Sequence, residues 1–189
     1  MTSDISTIKA IIIFDTTSKL LYANYTEDIG KYLKNLTDFQ NGVMNRIISK
    51  GIPSESSDDA FLYGPFVIVY QKVNDVFFSL SCISDENEAI ASAELSVIVQ
   101  SLQDNLDGDL SAANILYRYN EVLLAIDAAI DNGIIFDDDA RSISQRSYVE
   151  HESSGTIAEI LGNDTAAAVQ QTATKAFNAV KKTIFSFFQ

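Results

Sequence analysis

The stretch IKAIIIFDTTSKLLYANY, residues 8–25, decides the fold of this 189-residue chain. Residues 10–14 are apolar at every position, which is typical of a central strand covered on both faces. Residues 15–18 form a polar turn cluster, and residues 19–25 are typical of a return strand. Because so short a polar link joins the two runs, they are predicted to form an antiparallel hairpin.

A second hairpin is predicted further along the chain. Residues 66–73 and 76–83 are rich in β-branched and aromatic residues, and Asn74-Asp75 separates them at a turn. Residues 61–63 add a short strand that Gly64-Pro65 ends. Five strands joined by hairpins predict an antiparallel sheet.

Helical periodicity fills the chain between and after the strands. Three apolar faces are predicted, namely Leu36, Phe39, Val43 and Ile47 in the first helix, Ala91, Leu95, Ile98 and Leu102 in the second, and Ala112, Leu116, Tyr119, Leu123, Ile126 and Ile130 in the third. Asp85, with Glu88 as its capping-box partner, is predicted to begin the second helix, and Ser111 the third. Asn132-Gly133 is expected to end the third helix, and Asp137–Asp139 to precede a short helix near residues 140–149.

The predicted order is therefore ββαβββαα, followed by a short helix and a tail. Its class is α+β: a longin-like five-stranded antiparallel sheet packed with about three main helices. Ten positions are predicted to be mostly buried: Ile11, Ile13, Val67, Val69, Phe77, Leu95, Leu102, Leu116, Leu123 and Ile126. Gly42 lies inside the first helix, where glycine costs about 1 kcal/mol relative to alanine.

Composition excludes several classes of protein. The net charge of −13 argues against nucleic-acid binding, which needs clustered Lys and Arg. The single cysteine, Cys82, rules out an intramolecular disulfide and is typical of a reducing compartment. The N-terminus lacks the apolar segment of a signal peptide, and the apolar runs fall far short of the roughly 20 residues of a membrane span. We expect a cytosolic protein.

No residue pattern predicts catalysis, a cofactor or a metal. The one histidine, His151, lies in a polar stretch, and Cys82 is expected to be a small buried apolar residue of a strand. One Cys and one His cannot supply a tetrahedral zinc site. The acidic runs at 104–109 and 137–139 lack the glutamate that an EF-hand needs at its twelfth position, so capping and solvation explain them better.

Three strings resemble the longin-type small subunits of vesicle coats. They are KAIIIFD with KLLYANY in residues 9–25, FF with DENE in residues 77–88, and LLAID with DNGII in residues 123–135. They occur in the family's order and cover residues 8 to about 149. The Lys-Ala pair before the first strand and the DNGII end are nearer to the zeta subunits of the COPI coat, coatomer, than to the sigma subunits of clathrin adaptors.

The resemblance implies a non-catalytic coat subunit. Such subunits pack against the helical-solenoid trunk of a large partner, which for zeta subunits is the gamma subunit. Arf-type GTPases recruit the whole complex to Golgi membranes for Golgi-to-ER and intra-Golgi transport, so this chain's own contact with the GTPase and the membrane is expected to be indirect. The alternative is another longin-type trafficking protein, either a clathrin-adaptor sigma subunit or a tethering-complex subunit.

A surplus of aromatic residues is the sequence-level candidate for the partner interface. An exposed apolar patch marks an interface, whereas aromatics that face the domain's own core do not, and both alternatives stay open for each residue. The candidates are Tyr22, Tyr25, Tyr32, Phe61 and Tyr63.

The chain is predicted to divide into a folded domain at 1–149, a flexible linker at 150–163 and an amphipathic tail helix at 164–189. The tail face predicted to dock on a protein or a membrane consists of Val169, Phe177, Val180, Ile184, Phe187 and Phe188, accompanied by Lys175, Lys181 and Lys182. Its candidate surfaces are the acidic domain, the partner subunit and the membrane interface, and disorder is the remaining alternative.

Liposome flotation distinguishes these alternatives. If the tail binds membranes, the full-length protein will float with anionic vesicles more than a chain shortened to end at Glu150, because the tail adds apolar area and three lysines at about 1 kcal/mol each. Equal flotation of the two proteins would eliminate the membrane alternative. Full amide exchange of the tail in the assembled complex would eliminate protein docking as well.

Overall fold

A five-stranded antiparallel sheet forms the centre of the structure, a computed structural model that describes residues 8–50, 59–83 and 87–148. The strands are β1 (Ile8–Asp15), β2 (Leu20–Tyr25), β3 (Asp59–Tyr63), β4 (Phe66–Val73) and β5 (Val76–Ile83). Their order is β2-β1-β5-β4-β3, and every neighbouring pair is antiparallel, as predicted. The linker and tail predictions, and His151, lie outside the described residues.

Helices cover both faces of the sheet. The helices are α1 (Leu36–Ser49), α2 (Glu88–Asn105), α3 (Ala112–Tyr117), α4 (Tyr119–Ala129) and α5 (Ala140–Ser147). A short 3-10 helix lies at Glu27–Lys31, and two strands of two residues each, β6 (Ile130–Asp131) and β7 (Ile134–Ile135), form a separate hairpin. α1 packs on one face of the sheet, and α2 to α5 contribute to the core on the other. We call these the α1 side and the α2 side.

The alternation of side chains along β1 explains its apolar run. Ile11 and Ile13 belong to the core of the α2 side, whereas Ile12 and Phe14 belong to the core of the α1 side. Successive side chains of a strand point to opposite faces, so a strand between two helical layers needs apolar residues at every position. Eight of the ten positions predicted to be buried are buried; the exceptions are Leu116 and Leu123.

Helix caps explain where α1 and α2 begin. The side chain of Asn35 accepts hydrogen bonds from the backbone of Thr37 and Asp38 at the start of α1. Asn87 does the same for α2, accepting from the Ala89 amide at 2.9 Å. The prediction that Asp85 and Glu88 form the cap is wrong, because the helix begins at Glu88 and an equally suitable asparagine directly precedes it.

The cap at Ser111 is as predicted, and one of the three aspartates predicted to precede the short helix caps α5. The Ser111 hydroxyl accepts a hydrogen bond from the Asn114 amide at 3.3 Å before α3, and the Asp139 carboxylate accepts from the Arg141 amide at 3.1 Å before α5. Unpaired N–H groups at a helix start need such acceptors.

In the first helix, Leu36 is half-exposed, while Phe39, Val43 and Ile47 are buried as predicted.

The single long helix predicted after Ser111 is wrong. The backbone at Arg118 leaves the helical conformation and separates α3 from α4. The buried stripe consists of Ile115, Val122, Ala125, Ile126 and Ala129, whereas Leu116, Tyr119 and Leu123 are exposed. Two apolar stripes lie side by side in this sequence, and helical periodicity does not indicate which of them is buried. The predicted stripe shares only Ile126 with the buried one.

The Asn132-Gly133 pair turns a hairpin instead of ending a helix. α4 already ends at Ala129, and β6 and β7 pair on either side of the turn. Asn132 and Gly133 have φ values of 44° and 80°, the left-handed conformation that two-residue hairpin turns require. The Ile8 amide donates to the Gly133 carbonyl at 3.2 Å, so the hairpin is bound to the start of β1.

A buried polar network attaches α5 to α2. Asn105, almost fully buried at the end of α2, donates to the Ser147 hydroxyl at 2.7 Å and accepts from the Ser144 hydroxyl at 2.6 Å. The Ser147 hydroxyl in turn donates to the Ile143 carbonyl at 2.7 Å. Because buried polar groups must be paired, this network fixes the position of α5. Asn105 therefore has a structural role within the acidic run 104–109.

A buried ion pair holds the short 3-10 helix against β1. The Lys9 side chain is fully buried, and its ammonium donates to Asp28 Oδ2 at 2.8 Å, while the Thr26 hydroxyl donates to Asp28 Oδ1 at 2.7 Å. The hydrogen bond from Lys9 lowers the pKa of the Asp28 carboxyl below its usual value. The carboxylate is therefore ionised in the folded protein at neutral pH.

Replacing this carboxylate is expected to destabilise the fold. Asp28→Asn removes the negative charge that the buried Lys9 ammonium binds at 2.8 Å, at a cost of about 3 kcal/mol in urea unfolding at pH 7. The control Lys31→Ala removes a largely exposed cation 3.9 Å from Asp28 and should cost well below about 1 kcal/mol.

The pH dependence gives a second measurement. A carboxyl whose pKa is lower in the folded state stabilises the protein above its unfolded pKa, and this stabilisation is lost as the pH falls through the folded pKa. The difference between wild type and Asp28→Asn should therefore shrink below about pH 4. A constant difference down to pH 2 would contradict this role for Asp28.

Gly42 is expected to be required inside α1. A Cβ at this position would lie 1.8 Å from the Tyr63 hydroxyl, so alanine would displace the Tyr63 ring from its contact with Phe39. Gly42→Ala should lower the free energy of unfolding by about 1 kcal/mol, because overpacking outweighs the gain in helix propensity. The control Gly30→Ala meets no atom within 4 Å and should be nearly neutral. A stabilised Gly42→Ala protein would contradict this assignment.

Candidate interaction surfaces

The described residues bring no metal-binding group together. Within residues 8–50, 59–83 and 87–148, no group of three or more His, Cys, Asp or Glu is placed to hold a metal ion. Asp107 binds Arg118 at 2.7 Å, and Asp137 binds Arg146 at 2.6 Å. Cys82 is fully buried in β5, as predicted. These side chains have structural partners, so the site must be sought among the exposed apolar residues.

A small cavity beside β1 is also unsuited to a ligand. It holds about 30 Å³ and is lined by residues that include Lys9, Thr26 and Gly133. One water molecule occupies roughly 30 Å³ of liquid, whereas ligand pockets usually measure roughly 300–1,000 Å³. This cavity is too small for an organic ligand.

The five candidate aromatics do not form one exposed patch. Tyr22 is buried on the α2 side, where burial raises the pKa of its hydroxyl to about 12. Tyr25, Tyr32, Phe61 and Tyr63 are half-buried against the core of the α1 side. The sequence could not separate the two groups, because aromatics on opposite faces of a sheet give the same composition. Their role in partner binding stays a prediction.

Four of these aromatics form a border between α1 and the sheet. The Tyr25 hydroxyl donates to Gln40 Oε1 of α1 at 3.1 Å. The other three make ring contacts with centroids about 6 Å apart, pairing Tyr32 with Phe66, Phe61 with Tyr70, and Tyr63 with Phe39. Such pairs contribute about 0.5–1.5 kcal/mol each beyond burial, so they explain these aromatics within the fold itself.

The most exposed apolar helical surface is a ridge on α3 and α4. It consists of Leu116, Tyr117, Tyr119, Leu123 and Leu124, whose exposed fractions range from 37% for Leu123 to 85% for Tyr117. The opposite side of α4, with Val122, Ala125 and Ile126, is buried in the core and fixes the helix. α3 also packs against β2, and the ring centroids of Tyr119 and the buried Tyr22 are 6.2 Å apart. We call this surface the α3–α4 ridge.

An ion-pair network fixes the break within this ridge. The Arg118 guanidinium binds the carboxylate of Glu121, which is almost fully buried, and also Asp107 at 2.7 Å. The hydrogen bonds that Arg118 donates to Glu121 raise the pKa of the guanidinium above its usual value. A buried carboxylate needs such a partner, so α3 and α4 keep a defined relative direction. The ridge is therefore a preformed surface.

Within the part of the chain that is described, no helix combines the length and the apolar character that a membrane span needs.

Comparison with known proteins agrees with this architecture. The sequence model of the clathrin adaptor complex small chain family matches residues 7–153. The chain belongs to this family, and the resemblance to the small subunits of vesicle coats is confirmed. The fold is similar to a chain in a homology model of the full-length AP-3 complex in a stretched open conformation, with a TM-score of 0.57 and 11% identity, covering 89% of this chain and 98% of that chain.

Among curated relatives, the chain is similar to coatomer zeta subunits. Coatomer subunit zeta-2 of Mus musculus is 28% identical over 159 residues, or 82% of this chain and 75% of the relative. Coatomer subunit zeta-1 of Homo sapiens is 28% identical over 140 residues, or 74% and 76%. Coatomer subunit zeta of Saccharomyces cerevisiae is 27% identical over 146 residues, or 74% and 76%.

Proposed function

We propose that this chain is a non-catalytic subunit of a COPI-type vesicle coat that docks on a large gamma subunit through the α3–α4 ridge. Membership in the adaptor small chain family and similarity to coatomer zeta subunits from mammals and yeast support the coat assignment. A coat subunit acts by binding, which fits the absence of a catalytic motif in the sequence. Its association with Golgi membranes would then be peripheral and would pass through the complex and its Arf-type GTPase.

The observation that carries the docking proposal is the exposure of five large apolar side chains along two consecutive helices. Exposed apolar side chains are normal when scattered singly, whereas a contiguous patch marks an interaction site. Tyrosine is enriched at interfaces because its ring is apolar while its hydroxyl can form hydrogen bonds to water or to the partner. The α3–α4 ridge concentrates five exposed large apolar residues, two of them tyrosines, within nine residues of sequence.

The shape of the ridge suits a helical-repeat partner. Side chains on a helix form ridges that pack into the grooves of a facing helix, and a helical solenoid presents many such grooves. The exposed side of α4 also includes Asn120 and Asp127, which lie on the same strip as Leu123 and Leu124. Because interface rims are usually polar, these two residues are expected to lie at the edge of the contact.

The α1-side aromatics are a second candidate for the docking surface. Phe61 and Tyr63 lie on the edge strand β3, half-buried on the face of the sheet that α1 covers. We favour the α3–α4 ridge because its side chains are exposed, whereas the aromatics already have ring partners within the domain. The experiment below separates the two surfaces.

Co-expression with the gamma trunk tests the proposal. Leu123→Asp and Leu116→Asp should each weaken the complex by roughly 30-fold or more, since truncating an interface hot spot costs about 2 kcal/mol or more. The matched control Ile134→Asp places the same charge at another half-exposed aliphatic residue, on β7, and should leave co-purification unchanged. Circular dichroism should show intact folding of all three variants.

Two outcomes would overturn the proposal. If both ridge variants bind the trunk as wild type does while a folded Phe61→Ser variant does not, the docking surface includes the α1-side aromatics. If wild-type protein fails to bind the gamma trunk but binds a large clathrin-adaptor or tethering subunit, the coat assignment itself is wrong.

A further inference from the structure

An open apolar groove lies between the first half of α2 and the segment that joins β7 to α5. One wall is formed by Ala89, Ile90, Ala93, Glu94 and Val97 of α2, and the other by Ile135, Phe136, Asp137 and Asp138. Its volume is about 620 Å³, within the roughly 300–1,000 Å³ of ligand-binding clefts. The groove shares no residue with the α3–α4 ridge.

The aromatic wall of this groove is held in place although it is exposed. Phe136 is 71% exposed, yet its amide donates to the Ala129 carbonyl at 2.8 Å. Its ring lies 5.4 Å from the Arg146 guanidinium, a cation–π contact. Arg146 itself donates to the Ala128 carbonyl at 3.0 Å and to Asp137 at 2.6 Å. The ring is therefore kept beside the groove before any partner arrives.

The opposite wall is also apolar and rigid. Ile90 is half-exposed, and it shares one side of α2 with Ala93 and Val97 at helical spacing. The other side of α2, including Ala91, Leu95 and Ile98, is buried in the core. Small alanine side chains at 89 and 93 leave the space that the groove occupies. An apolar side chain could enter between Ile90 and Phe136 without a backbone change.

The charged residues that line the groove are all acidic. Of the nine described residues that line it, three are acidic, namely Glu94, Asp137 and Asp138, and none is basic. Hydrogen bonds, first that from Ser142, lower the pKa of the Asp137 carboxyl, so this group stays ionised. Among the described residues, Arg146 contacts this wall of the groove, and its guanidinium is engaged with Asp137 and Phe136. Glu88 adds a further exposed carboxylate at the start of α2.

We propose that this groove binds a peptide segment of another protein in which apolar side chains are flanked by Lys or Arg. The apolar walls take the apolar side chains, and the acidic rim attracts the flanking cations and disfavours acidic peptides. An open groove with preformed walls suits a short segment, because the protein loses little conformational entropy on binding. This site is independent of the docking of the large subunit.

Fluorescence polarisation with three labelled peptides tests the chemistry. The probe is GSKKAFLAKKGS, and the two comparison peptides are GSEEAFLAEEGS, which reverses the charge, and GSKKASSAKKGS, which removes the apolar pair. Full-length protein should bind the probe at least tenfold more tightly than either comparison peptide. Binding of the probe should weaken as salt rises, since the rim charges are exposed.

Variants locate the binding. Phe136→Ser and Ile90→Ser should each weaken probe binding about tenfold or more, and Asp138→Asn should weaken it less and reduce its salt dependence. The matched controls Leu124→Ser on the α3–α4 ridge and Asp131→Asn on the β6–β7 hairpin should bind the probe as wild type does. Backbone amide NMR of wild type should show probe-induced shifts at Ala89, Ala93 and Phe136.

Three results would overturn the inference. They are no saturable binding of the probe up to about 1 mM, equal binding of the acidic peptide, and equal losses in the ridge or hairpin controls. Because Leu124 belongs to the proposed docking surface and the groove does not, failure of the groove leaves co-purification with the large subunit unaffected. The two proposals therefore fail separately.

Discussion

The double-sided burial of β1 is the constraint on which the rest of the structure depends. β1 pairs with β2 on one edge and with β5 on the other, and its side chains alternate between two helical layers. An apolar strand of this kind cannot face water on either side, so both layers are required for the sheet to exist. With the sheet covered, the binding surfaces available to a partner lie largely on the outer sides of the helices and at the borders between layers.

The two proposed surfaces follow from this arrangement. α4 and α2 each have one buried side that fixes the helix and one outer side that carries apolar residues. A surface built in this way is rigid, because the same helix that presents it is anchored in the core. The α3–α4 ridge protrudes and the α2 groove is concave, so they suit different partners: a large helical surface for the first and a short segment for the second.

The strands and the layer order were predictable from the sequence because alternation and hairpin turns are local signals. The wrong boundaries have two causes. The Asn87 cap and the Asn132-Gly133 turn are local signals that helical periodicity outweighed. The break at Arg118, by contrast, depends partly on a contact with Asp107, which lies earlier in the chain. Arg118 breaks the helix after Ser111 by pairing with Glu121 and Asp107, and nothing in the helical spacing of Leu116 and Leu123 indicates which of two apolar stripes faces the core. The groove needs two segments about 45 residues apart in sequence, α2 and the β7–α5 connection, and their proximity is a property of the folded chain.

The hairpin at Asn132-Gly133 has a consequence for how the protein is made. Its turn binds the first strand, through the Ile8 amide at 3.2 Å, and the start of the 3-10 helix, through the Glu27 amide at 3.3 Å. These contacts join positions more than a hundred residues apart, the kind of non-local pairing that slows folding. β1 can acquire its final neighbours only after β5 and the hairpin have left the ribosome. Until then one edge of β1 has no paired strand, and an unpaired apolar strand edge favours aggregation of the nascent chain.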